Sequence, residues 1–168
     1  MRVYIPSTPT ALAGVQRENG VGPAPVGAWA VTAGLRVWCG TDNDEELEYA
    51  ATVLAGRASL ALIAGASEGP PRRVVLVAEV PDTIVREDAG LGPGAVSVGG
   101  TIPLKRVAAV HLDAAEAEDA VRAALGVLDA ADAGDEAAEA LVEAVEEHEL
   151  LWFATQELPG LVAAVDSA

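Results

Sequence analysis

Two histidines, His111 and His148, are the only side chains of this sequence whose ordinary pKa lies close to neutrality. His111 stands near the end of an apolar run, two residues before Asp113. Strand ends beside helix starts are common ligand positions in open sheets. His148 lies in the run Glu146-Glu147-His148-Glu149. If the fold converges them, His111, Asp113, His148 and Glu149 form a His/carboxylate cleft able to move protons. Each group must then come within hydrogen-bond reach of a ligand or of one bridging water. Metal chemistry has weaker support. A ligand one helical turn before His148 would be residue 144, which is alanine. Glu143 and Glu147 do have that spacing, but a carboxylate pair without further ligands holds a divalent ion only weakly. They are read as part of a solvated acidic face open to a basic partner, and neither a metal nor a cofactor is expected.

Other reaction signatures are missing. Cys39 is the single cysteine and has no histidine near it in sequence, so it reads as an inert thiol. Gly90-Leu91-Gly92-Pro93-Gly94 lacks the Lys-Ser/Thr ending of a phosphate-binding loop and no helix start follows it. No Gly-x-Ser-x-Gly elbow occurs.

The elements that must position these residues follow from periodicity and punctuation. Arg2–Pro6 reads as a short strand ended by Pro6, followed by a short helix that stops at Asn19-Gly20. Gly27–Thr32 has strand character, and Ala33–Cys39 reads as a helical turn carrying Arg36 and Trp38. A long helix begins after Thr41 or Asn43, with acids crowding its first turn, and ends at Gly65. Its expected inward stripe is Leu47, Ala51, Leu54, Ala58 and Leu62. Arg72–Val80 is a strand whose apolar run shows little alternation, the mark of burial on both faces. Residues 95–104 read as a hairpin around Gly99-Gly100, and Val107–Leu112 as a further buried strand. Asp113 and Glu116 have the spacing of a capping box, so a helix is expected to start at Asp113. A second acidic helix spans about 136–148, with Leu141, Val142 and Val145 inward. Residues 149–158 fit neither period, and 161–165 reads as a short closing helix or a frayed tail. The pattern predicts one α+β domain over 1–168, a two-layer sandwich with a mixed, mostly antiparallel sheet and helices packed on it. A strictly alternating doubly wound sheet is the alternative, against which the hairpin counts.

Composition narrows the function. The 168 residues carry 26 acidic and 10 basic side chains, a net charge of −16. Half the chain is apolar, too much for a disordered acidic tail. Residues 113–168 hold 15 of the acids and one base, Arg122, so the helical C-terminal third is the acidic part. Nucleic-acid binding and attachment to an anionic membrane both need cationic surface and are not expected. The lone cysteine and the lack of an apolar leader fit the cytoplasm. Only six aromatic residues are present, and most are expected as core anchors. Trp38, beside Arg36, is the one expected at the surface, where Trp and Arg are typical contact anchors.

Several blocks taken in order carry a resemblance. They are Met1-Arg2-Val3-Tyr4-Ile5-Pro6, Gly22-Pro23-Ala24-Pro25, Glu45-Glu46-Leu47-Glu48-Tyr49-Ala50-Ala51, Arg72-Arg73-Val74-Val75, Val110-His111-Leu112-Asp113 and His148-Glu149-Leu150-Leu151-Trp152-Phe153-Ala154-Thr155-Gln156-Glu157-Leu158. Together they resemble an uncharacterised family of small acidic actinobacterial proteins, a domain of unknown function. That resemblance implies a bacterial, cytoplasmic, stand-alone protein and supplies no activity or catalytic residue. The sequence therefore favours a non-enzymatic protein-interaction module that self-associates or holds a protein partner, with Arg36, Trp38, Glu143 and Glu147 as contact residues. One alternative is a small-molecule-binding or enzymatic domain built on the His/carboxylate cleft. The other is an acidic nucleic-acid mimic that blocks a basic partner.

Overall fold

The structure, a computed structural model, describes residues 1–167. In chain order its elements are β1 (Arg2–Ser7), α1 (Ala11–Glu18), β2 (Gly20–Val21), β3 (Val26–Trp29), α2 (Ala33–Cys39), α3 (Asp44–Gly65), β4 (Val74–Glu79), β5 (Val85–Glu87), β6 (Ala95–Val98), β7 (Ile102–Pro103), β8 (Val107–Leu112), α4 (Glu118–Leu125), α5 (Leu128–Asp132), α6 (Glu136–Glu146), β9 (Leu151–Ala154) and α7 (Leu158–Asp166). Seven strands form one open sheet in the order β5-β6-β3-β1-β4-β8-β9, and every ladder in it is antiparallel. A two-stranded ladder, β2-β7, stands apart. The fold is α+β.

Alternation along the central strands assigns the faces. Val3 and Ile5 of β1, Val74 and Leu76 of β4, and Val110 and Leu112 of β8 pack with Leu12 of α1 and with Leu158 and Leu161 of α7. Tyr4, Val75, Val77 and Ala109 point the other way, against Leu35 of α2 and Leu47, Ala51 and Ala55 of α3. Helices therefore cover both faces of the sheet, which is why β4 reads as an unbroken apolar run. β4 lies between β1 and β8 in mid-sheet, where its apolar run placed it.

Helix α3 sets the geometry of the site. The Asn43 side-chain oxygen accepts from the backbone N–H groups of Glu45 (2.9 Å) and Glu46 (3.2 Å). Asp44, Glu45 and Glu46 in the first turn complement the helix dipole. The buried stripe differs from the expected one: it is Leu47, Ala51, Ala55, Gly56, Ser59 and Leu60, while Leu62 is exposed. The helix is apolar nearly all round, so small residues, not the largest ones, mark where it touches the sheet. Ser59 shows why. Its buried hydroxyl donates to the carbonyl of Ser7 (2.7 Å) and accepts from the N–H of Val74 (3.0 Å), so the one polar side chain in the buried stripe is fully paired against the β1–β4 ladder. By length and composition α3 would also suffice to cross a membrane, but here it lies on the sheet.

The acidic third forms its own cluster: Val121 and Ala124 of α4, Ala131 of α5, and Ala138, Val142 and Val145 of α6 gather around Leu60 of α3. Leu141, expected inward, is exposed. Two arginines dock the cluster on the body. Arg57 makes a two-pronged bond to Glu139 (2.7 and 2.8 Å), and Arg72 donates to Glu118 (2.7 Å).

Three local expectations give way to long-range pairing. Residues 95–104 form no hairpin: β6 pairs with β3 and β5, while β7 leaves to pair with β2. The first strand runs through Pro6 to Ser7, because β3 meets β1 at Tyr4 alone and no neighbour on that side needs a donor from Pro6. Asp113 caps no helix. Its carboxylate is engaged elsewhere, and the chain enters α4 through a tight turn at Ala115–Ala117. Residues 149–158 resolve into β9 and a second tight turn at Thr155–Glu157.

Candidate functional site

Beyond α3, the sheet continues to β8 and the edge strand β9, and a cleft opens between the helix and that edge. His111 of β8 lies opposite Val75 on one side and Trp152 of β9 on the other. Alternation points it to the α3 face, the same face as Ala109. A cavity of about 280 Å³ is lined by Tyr49, Thr52 and Val53 of α3, Arg73, His111, Glu146 of α6, and His148, Glu149 and Leu150 of the segment leading into β9. A second, of about 430 Å³, shares Tyr49, Thr52 and His111 and reaches past Trp152 and Ala109 to Tyr4, Arg2, Glu45 and Glu48. The two adjoin at His111 as one groove running beside α3. A larger depression of about 810 Å³ near Lys105 and Thr155 offers one charged side chain and no acid–base pair.

Of the four residues singled out for proton chemistry, the fold brings His111, His148 and Glu149 to this one cavity. Asp113 stands behind it. Its fully buried carboxylate accepts from the backbone N–H of Arg73 (2.8 Å), from Arg73 Nε (2.9 Å) and from Arg73 Nη2 (2.8 Å). The same Nη2 donates to the backbone carbonyl of His148 (2.7 Å). Arg73 thereby ties the start of β4, the end of β8 and the 146–150 segment together, and its guanidinium forms one wall of the cavity. Such a pair is held by geometry that satisfies nearly every donor, without which burial of two charges costs several kcal/mol.

The titration of the cleft groups is opposed. Burial pushes the His111 imidazole below its ordinary value, so at neutral pH it is an uncharged acceptor. Burial pushes the Glu146 carboxyl up; Arg57 and Arg73 partly offset this, and Glu143 and Glu139 add to it. At the far end Tyr4 is pushed up to about 12 by burial and by Glu48, which leaves its phenol a hydrogen-bond donor. Among the described residues no buried side-chain polar atom lacks a partner. No three His, Cys, Asp or Glu side chains there converge to hold a metal ion.

The residues expected at a partner surface are dispersed. Arg36 is turned inward on its own chain, donating to Asp44 (2.9 Å) and to the carbonyl of Asp42 (3.3 Å). Trp38 is exposed on α2, as expected, with Val37 beside it. Glu143 and Glu147 are exposed on and just after α6. The aromatic expectation fails for two further residues: Tyr49 and Trp152 are as exposed as Trp38, at 63% and 62%, and both line the groove. Tyr49, Thr52, Arg73 and Glu146 were not singled out from the sequence. A signal existed for some of them. Glu45, Tyr49 and Thr52 recur at four and three residues along one side of α3. Arg73 and Asp113, opposite charges abutting two buried apolar runs, are a natural buried pair.

Neither a curated protein nor a solved structure matches the chain. The model of a family of unknown function, DUF6912, matches residues 1–162, nearly the whole length, and the chain belongs to that family.

Proposed function

We propose that this protein binds a small molecule in the cleft between α3 and the β8–β9 edge, with His111 and Glu146 among the polar groups that line it. The observation that carries this reading is the convergence of His111, Glu146, His148 and Glu149 on one cavity, from three separate elements of the chain. Pockets that join apolar walls to a few polar groups with displaced titration are the usual form of a ligand site. Burial lowers the titration of His111 and raises that of Glu146, the kind of displacement that gathers at ligand sites. The test is a two-dimensional amide NMR titration with a library of small fragments. Shifts confined to Tyr49, Thr52, His111 and residues 148–150, and lost in His111→Ala, are expected. A library that leaves these amides unmoved would refute the reading.

A protein-interaction role is the second reading. It is favoured by exposed Leu151 and Trp152 on β9, which has no strand on its outer side. Unpaired edge strands are templates for another chain. Light scattering on the wild type and on Trp152→Glu separates this reading from the first, because only an edge-paired assembly falls apart in the variant.

A further inference from the structure

Resting on the cleft reading, we propose that the ligand is a linear aliphatic polyamine lying along α3, with an ammonium group at each end of the groove. Four features of the groove lead there. First, its two cations are already engaged. Arg2 donates to Glu79 (2.8 Å) and Glu48 (3.3 Å), and Arg73 is held by Asp113 and the His148 carbonyl. No free cation remains in the lining to receive an anionic ligand.

Second, each end keeps at least one uncompensated carboxylate. At one end Arg2 faces Glu45, Glu48 and Glu79. At the other, exposed Glu149 stands beside Arg73, whose charge Asp113 balances, while Glu139 balances nearby Arg57. Third, the stretch between is apolar and aromatic: Tyr49, Val53, Val77, Ala109 and Trp152. Aromatic faces attract ammonium groups, and apolar walls take methylene chains. Fourth, the length discriminates. Glu45 and Val53 are eight residues apart on one helix, about 12 Å at 1.5 Å rise per residue. A single ammonium group or a short diamine reaches one end only.

Calorimetry and tryptophan fluorescence at low ionic strength, with spermidine, putrescine and the dianion suberate as probes, test the proposal. Spermidine binds one to one and changes an emission that Trp152→Phe removes. Glu45→Gln and Glu149→Gln, both at exposed positions, each weaken it about threefold, as exposed ion pairs do, and about tenfold together. Putrescine binds about threefold more weakly, for the same loss of one charged end, and suberate does not bind. Added salt weakens spermidine binding by screening. Suberate binding as tightly as spermidine, or spermidine binding unchanged in the double variant, overturns the polyamine assignment. Absence of spermidine binding overturns it too, and the fragment titration then decides the cleft reading separately: fragments that still move the His111 amide leave the cleft standing.

Discussion

Removing the Asp113 carboxylate tests whether the Arg73 pair holds the cleft together. In Asp113→Ala the guanidinium, with its side chain only 4% exposed, keeps one strong partner, the His148 carbonyl. Three bonds to Asp113 are lost, including that of the Arg73 backbone N–H. Breaking a buried pair by deleting one partner costs about 3–5 kcal/mol, because the remaining charge stays buried and uncompensated. For a domain of this size that corresponds to a fall in Tm of about 6–20 °C. Urea unfolding measures the loss, and amide hydrogen exchange at 146–150 measures its effect on the cleft wall, where exchange should accelerate. The double variant Arg73→Met/Asp113→Leu separates stability from positioning. Stability recovers in part, since apolar replacement of a buried pair is often neutral while the backbone N–H of residue 73 stays without its acceptor. Exchange at 148–150 stays fast, since no donor reaches the His148 carbonyl. A loss below about 1 kcal/mol in Asp113→Ala, the value of a surface ion pair, would refute the reasoning.

Three further outcomes are expected. Ser59→Ala removes the hydroxyl that bonds the Ser7 carbonyl and the Val74 N–H under α3 and costs about 1–2 kcal/mol by urea unfolding, whereas Leu62→Ala on the exposed side of the same helix costs within about 0.5 kcal/mol. Glu146 has a raised folded pKa, so its favourable contribution is full below the ordinary carboxylate range and is lost as pH rises through the folded value. Glu146→Gln should therefore raise Tm at pH 7, with the gain vanishing as the pH falls to about 4. His111 has the opposite sense: its folded pKa is lowered, so stability is complete above about pH 6.5 and declines as pH falls toward the folded value. In His111→Gln the acid-side decline in Tm should be shallower than in the wild type.

The range of the interactions separates what is legible in the sequence from what is not. α3 was legible because its cap, its acidic first turn and its length are local, and β4 because burial on both faces removes alternation. His111 at the end of a buried strand was found for the same reason. Asp113 departs from its capping-box expectation because that spacing is a local signal, whereas Arg73 lies 40 residues away and offers three donors. The Gly99-Gly100 turn misled similarly, since the partners of β6 come from elsewhere in the chain. The α3 stripe differs because an apolar helix has little preferred face, and Ser59 sits at the contact, bonded to both β1 and β4 in mid-sheet. Half of the site stayed hidden for one reason. Tyr49, Glu146 and Trp152 are unremarkable on their own elements and gain a role only where α3, α6 and β9 meet.

The most direct test of the cleft account is a crystal structure of the protein with the tightest-binding compound from the titrations. The account predicts ligand density beside α3, over His111, between the Glu45 and Glu149 ends of the groove. Density confined to the outer face of α4–α6, with the cleft closed by its own side chains, would contradict it.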